Sequence, residues 1–223
     1  MWRGLTMAGL SGCWFDIGCA LRTITRHTDS TGFQRLGARS APYTFKMPEY
    51  RRITGSHALW FFTVVTQRRQ PVLCGATMRD ALRDALESVR ARYPFEIDAM
   101  VLMPDHLHTI WRLPLDDVDY ARRWSLCKAA VTKATQQASP PSSSHSGRNE
   151  GSLWQRRFWA HAIVDDRDYE RHADYIHFNP VKHGLVSSVK DWPHSSFHRW
   201  MREGRYDFNW ANNVEGDDER FGE

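Results

Sequence analysis

Residues 95–108 read Phe-Glu-Ile-Asp-Ala-Met-Val-Leu-Met-Pro-Asp-His-Leu-His, and the elements around this stretch decide the fold. Two apolar runs, 96–103 and 107–113, have the composition of strands. Pro104-Asp105 leaves room only for a tight turn between them, so they pair as a hairpin. Upstream, 58–66 (ALWFFTVVT) is aromatic and β-branched and reads as a buried strand. Between this strand and the hairpin, Met78, Ala81, Leu82, Ala85, Leu86 and Val89 recur at helical spacing. Thr77 is the expected cap of that helix, with Asp80 completing a weak capping box, and Pro94 ends it. Downstream, 121–138 predicts a second helix, 158–164 a fourth strand and 166–179 a third helix. Pro180 is expected to stop the third helix, because the residue before a proline is pushed out of the helical region. Strand, helix, strand, strand, helix, strand and one extra helix make two βαβ-like halves in series. That order predicts an α+β fold, a ferredoxin-like sandwich whose antiparallel sheet is covered on one face and open to a substrate on the other.

The 223 residues, 41% hydrophobic and 13% aromatic, suffice for a domain with a real core and exclude a wholly disordered chain. No apolar run approaches the roughly 20 residues of a membrane helix. With 30 Lys+Arg against 26 Asp+Glu the net charge is +4, which permits a nucleic-acid partner without demanding one. The charge is uneven. Residues 1–46 carry six cations against two anions, and 214–223 carry five anions against one cation. Segment 1–46 shows no sustained periodicity and reads as a poorly ordered extension or a mis-assigned start before Met47. Residues 139–152, rich in Ser, Pro and Gly, read as a flexible loop within a single domain spanning 47–213, and 214–223 as an acidic tail. The apolar stretch 5–24 is a poor secretory signal, interrupted by Asp16 and followed closely by charge. Cys13, Cys19, Cys74 and Cys127 form no CxxC pair, which fits a reducing cytoplasm better than a disulfide framework.

Three groups of residues carry chemistry. His106 and His108 flank Leu107, and alternate residues of a strand share a face, so both imidazoles leave the same side of the sheet. They are either half of a metal site or two unrelated surface histidines. Tyr175 and Asn179, four apart, share one face of a helix, whereas Tyr169, Ala173 and Ile176 take the face that packs on the sheet. Tyr175 reads as a nucleophile or as a packing aromatic; a phenol needs an activated electrophile or a local base. Finally, arginines alternate with aromatics at Tyr50-Arg51-Arg52, Gln67-Arg68-Arg69, Arg122-Arg123-Trp124 and Trp154-Gln155-Arg156-Arg157-Phe158-Trp159. Such clusters contact phosphates and stack on unpaired bases, or are ordinary solvated charge beside core aromatics.

The stretch 95–108, Trp154-Gln-Xaa-Arg-Phe-Trp-Xaa-His161, Asp174-Tyr-Ile-His-Phe-Asn-Pro-Val-Lys-His-Gly184 and Asp191-Trp-Pro-Xaa-Ser-Ser-Phe197 follow one another in order. The combination resembles the REP-associated tyrosine transposases, of the single-tyrosine HUH class named for two histidines flanking a hydrophobic residue. The resemblance covers about 47–210. It implies a ferredoxin-like HUH fold, with His106, His108 and Asn179 as ligands of Mg²⁺ or Mn²⁺ and Tyr175 as the nucleophile; related transposases often place Gln where this chain has Asn179. It implies cleavage and rejoining of single-stranded DNA hairpins, the bacterial repetitive extragenic palindromes, through a 5′-phosphotyrosine link, by a cytoplasmic monomer or homodimer. His172 and Lys182 are candidate proton acceptors for Tyr175. Arg51, Arg52, Arg68, Arg69, Arg156 and Arg157 are candidate DNA contacts. The competing readings are a non-catalytic or domesticated nucleic-acid binder of the same fold, and a metal hydrolase that uses water.

Overall fold

Four strands and four helices account for most of the chain that the structure, a computed structural model, describes: residues 58–135 and 153–210. They are β1 (Ala58–Val65), α1 (Ala76–Arg92), β2 (Glu96–Leu102), β3 (His106–Leu113), α2 (Tyr120–Thr135), β4 (Trp159–Ala162), α3 (Asp166–Lys182) and α4 (Phe197–Arg202). The sheet order is β2-β3-β1-β4 and every pairing is antiparallel. This is the expected ferredoxin-like arrangement: each half contributes one central and one edge strand, and the hairpin β2–β3 seats β3 beside β1.

Side-chain alternation divides the sheet into two faces. Phe62 and Val64 of β1 with Leu107, Trp111 and Leu113 of β3 pack under α1 and α2. There Trp111 is stacked between Trp124 of α2 (4.2 Å between centroids) and Phe95 (4.1 Å). Leu59, Phe61, Val101 and Ile110 form the opposite face. That face is not open. Tyr169, Ala173 and Ile176 of α3 and Phe197 and Trp200 of α4 close it with a second apolar layer. The expected one-sided sandwich is therefore three layers. The reason lies in strand composition: β1 is apolar on both faces, and a strand of that kind must be covered twice.

Three local expectations change. α1 is capped at Gly75 without a side-chain bond, so Thr77 falls inside the first turn, too late to cap. β4 is only Trp159–Ala162, four residues rather than seven. α3 runs through Pro180 to Lys182. The proline removes one ladder bond near the end of the helix, where the loss is small. The end itself is built by Gly184 at φ 66°. Gly184 N donates to Val181 O and Leu185 N to Pro180 O, the paired bonds that close a helix on a left-handed residue. At its start, Asp165 caps α3 by accepting from Asp168 N at 2.8 Å.

Segment 1–46, Met47, Arg51, Arg52, the loop 139–152 and the tail 214–223 lie outside the described residues. No helix among the described residues is long and apolar enough to cross a membrane.

Candidate active site

β3 sets out the first half of the site. His106 faces Val65 and His108 faces Thr63 across the β1–β3 pairing. Both imidazoles lie on the α3 side of the sheet, while Leu107 points into the α1–α2 core. Their ring centroids are 4.8 Å apart and both residues are buried, at 1% and 0% exposure. Each Nδ1 is engaged. His106 Nδ1 lies 2.6 Å from Asp105 Oδ1, and His108 Nδ1 lies 2.9 Å from Thr63 Oγ1. These bonds fix the ring orientations and turn each Nε2 to the remaining edge. The two Nε2 atoms and Asn179 Oδ1 are buried side-chain atoms that make no hydrogen bond among the described residues. Two imidazole nitrogens and an amide oxygen are a donor set for a divalent cation.

Asp105 is itself held. Its second oxygen accepts from Arg69 Nη1 at 3.0 Å. Burial alone would raise this carboxyl, but the hydrogen bond and charge of His106, with Arg69 behind them, bring it below the ordinary 3.8. Arg68 and Arg69 both adopt left-handed backbone (φ 56° and 51°), which costs of order 1 kcal/mol per residue. This conformation carries Arg69 to Asp105. Asp98, the other carboxylate near the hairpin in sequence, sits in a bulge at the far end of β2 and pairs with Arg112. It takes no part in the histidine cluster.

α3 supplies the second half. Its ring-bearing Tyr175 lies 5.1 Å from His108 and 6.2 Å from Phe61, 9% exposed. It is thus more enclosed than a free surface tyrosine. Lys182 Nζ stands 4.9 Å from the tyrosine ring centroid. Asn179, one turn beyond Tyr175, is fully buried. The other proton-acceptor candidate, His172, places Nδ1 2.8 Å from the Asp168 carbonyl and packs on Phe61. Burial lowers its pKa below the ordinary 6.5.

The rotation of α3 about its axis is set by a buried polar chain. Met100 N donates to Ser196 Oγ (2.9 Å), Ser196 Oγ is 2.7 Å from His177 Nε2, His177 Nδ1 is 3.0 Å from the Tyr206 hydroxyl, and that hydroxyl donates to Asp174 Oδ1 (2.7 Å). A neutral His177 with its proton on Nδ1 gives every bond in this chain one donor. Complete burial holds its pKa well below 6.5, which keeps it neutral. The motif 191–197 therefore serves as an anchor. Leu102 N donates to His194 O and Ser196 N to Met100 O, so the segment pairs along the edge of β2, and Trp192 Nε1 donates to Leu102 O.

Of the arginine clusters, Arg68, Arg156 and Arg157 are exposed, while Arg69 is turned onto Asp105. Arg123 and Trp124 are not surface groups at all. Arg123 is 1% exposed, paired with Asp117 and bonded to the carbonyls of Tyr93, Pro94 and Asp119. Sequence reasoning missed Asp105, Thr63 and Arg69 as supports of the histidines. Asp105 precedes His106 directly and could have been flagged, but Thr63 and Arg69 become visible only with the register of β1 against β3.

The sequence profile of the transposase IS200-like family matches residues 56–179. A REP-associated tyrosine transposase of Escherichia coli (strain K12) is 42% identical over 168 residues, covering 75% of this chain and 93% of that protein. A putative REP-associated tyrosine transposase of Haemophilus influenzae (strain ATCC 51907 / DSM 11121 / KW20 / Rd) is 39% identical over 170 residues, covering 76% and 96%. Among solved structures, a REP-associated tyrosine transposase bound to a REP hairpin superposes with a TM-score of 0.63 at 42% identity, over 79% of this chain and 98% of that one. With similarity of this extent the chain belongs to the REP-associated tyrosine transposases, within the IS200-like transposase family.

Proposed function

We propose that this transposase cleaves and rejoins single-stranded DNA at repetitive extragenic palindrome hairpins, with Tyr175 as nucleophile. The observation that carries the reading is the juxtaposition of His106, His108 and the Tyr175 ring, at 4.8 and 5.1 Å, beneath the helix that also bears Asn179. His106, His108 and Asn179 would hold Mg²⁺ or Mn²⁺, which when bound polarises the scissile phosphate and neutralises charge developing there. The Tyr175 oxygen attacks phosphorus and the phosphodiester bond breaks on its far side. A 5′-phosphotyrosine forms and a 3′-hydroxyl leaves with the proton. One ester replaces another, so the reverse step can join the DNA to a new 3′ end without an energy donor. Lys182, with its Nζ 4.9 Å from the Tyr175 ring centroid, is the candidate to receive the phenolic proton on its way to the leaving 3′ oxygen. Arg68, Arg156 and Arg157, exposed on the surface, are suited to grip backbone phosphates; Arg51 and Arg52, outside the described residues, join them on residue type alone. The hairpin is taken as partner on the strength of the 42%-identical relative solved with one.

Incubation with end-labelled hairpin DNA and Mn²⁺ tests the reading. The wild type should give a covalent protein–DNA band resistant to denaturation. Tyr175→Phe should lose that band and at least about 10³-fold in cleavage while still binding the hairpin. A covalent band that persists in Tyr175→Phe would refute the assignment, and cleavage without any covalent species in the wild type would point to the hydrolase.

A further inference from the structure

A second cluster of ligand-type side chains lies on the same face of the sheet, apart from the His106–His108 pair, and takes in His172, which bound to an ion would no longer serve Tyr175 as a proton acceptor. His161 of β4 stands opposite Phe61 in the β1–β4 pairing and so faces α3. Its Nε2 is 2.9 Å from Asp168 Oδ2, and Asp168 Oδ1 is 3.0 Å from His172 Nδ1. The two imidazoles stack at 4.7 Å with 17° between their planes. One nitrogen from each and a carboxylate oxygen all fall within 4.8 Å of one another. The Phe61 ring contacts His172 at 4.7 Å and His108 at 5.6 Å, so an aromatic wall separates this cluster from the first histidine pair.

We propose that His161, Asp168 and His172 form a second divalent-metal site, suited to Zn²⁺, that ties the edge strand β4 to the helix bearing Tyr175. Two imidazoles and one carboxylate are a donor set that zinc takes, at about 2.0–2.2 Å from each ligand atom. Ligands at that radius sit somewhat more than 3 Å apart; the ligand atoms here lie within 4.8 Å of one another and the two imidazoles are stacked, so binding needs side-chain rotation that turns one nitrogen of each ring and one Asp168 oxygen onto a common point. The carboxylate is already held in the cluster. Asp168 Oδ2 accepts from Val164 N at 3.1 Å, and Asp168 N donates to the capping Asp165 at 2.8 Å. Side-chain exposure falls from 37% at His161 through 14% at Asp168 to 4% at His172. Solvent therefore meets the cluster at the His161 edge, which gives an ion its entry and a water the fourth position. Coordination replaces the protons shared between imidazole and carboxylate and releases them to solvent. His172 lies three residues before Tyr175 on α3, so the ion would brace the first two turns of that helix against the sheet.

The test is zinc stoichiometry of the full chain, read by competition with a chromogenic chelator. His161→Ala should bind one Zn²⁺ fewer per chain than the wild type, and a His106→Ala, His108→Ala double variant should keep one. His161→Cys should retain the zinc and, loaded with Co²⁺, show a thiolate-to-cobalt charge-transfer band that the wild type lacks. His161 is partly exposed, so its variants should fold, and they decide the matter even if the double variant does not. Equal stoichiometry in His161→Ala and wild type, or no thiolate band in His161→Cys, overturns the proposal.

Discussion

Asp105 shares one oxygen with His106 and the other with Arg69. An imidazole has two nitrogens, and the bond at Nδ1 decides where Nε2 points, so this carboxylate positions the edge of His106 that would meet an ion. Asp105→Asn should therefore weaken Mn²⁺ affinity by roughly 10–100-fold. Hairpin cleavage measured against Mn²⁺ concentration should shift to higher metal and recover most of its maximum at saturation. A purely structural carboxylate would lower the maximum and leave the metal midpoint in place. Arg69→Ala, which removes only the outer support, should shift the midpoint in the same direction by less. The pair His106 and His108 was legible from the period of two in a strand. The support was not, because Arg69 lies 36 residues from Asp105 and reaches it through two left-handed residues that no local pattern announces.

α3 is the element on which the site depends most. It carries Tyr175 and Asn179, and its helical face was readable from Tyr169, Ala173 and Ile176. Its end was not, since the rule for residues preceding proline describes a preference that packing and a good stop signal override. Gly184 provides that stop. Nothing lies within 4 Å of a side chain added there, so Gly184→Ala should cost about 1 kcal/mol from its φ of 66° alone, measured by urea unfolding. Ser196→Ala removes the partner of both Met100 N and His177 Nε2. It should destabilise the fold by about 1–3 kcal/mol and also lower the cleavage rate, because the rotation of α3 then loses a constraint. A variant with normal stability and normal cleavage would show that the buried chain has no such role.

At the scale of the molecule, one buried guanidinium ties the second half of the fold to the first. Arg123 at the start of α2 reaches Asp117 and the carbonyls of Tyr93 and Pro94, where α1 turns into β2. The hydrogen bond from Arg123 holds the Asp117 carboxyl below the ordinary 3.8. A carboxyl of lowered pKa contributes its stability above its unfolded value and loses it as the pH falls. Asp117→Asn should thus cost about 2 kcal/mol at neutral pH, by leaving a buried guanidinium without its counter-charge. The gap in melting temperature from the wild type should be constant above pH 5 and close as the pH drops below about 3.8. The order of elements, the hairpin at 95–108, the shared face of His106 and His108 and the inner face of α3 were determined by the sequence alone. Each is a periodicity or a steric rule that acts within a few residues. The tertiary structure alone decided that the second face of the sheet is closed, that Arg123 is interior rather than a DNA contact, and that 191–197 anchors β2 and α3. It also brought His161, Asp168 and His172 together. Those outcomes depend on which surfaces meet when the two halves pack, and Met100 finds Ser196 only across 96 residues of chain. No local period encodes a partner at that distance.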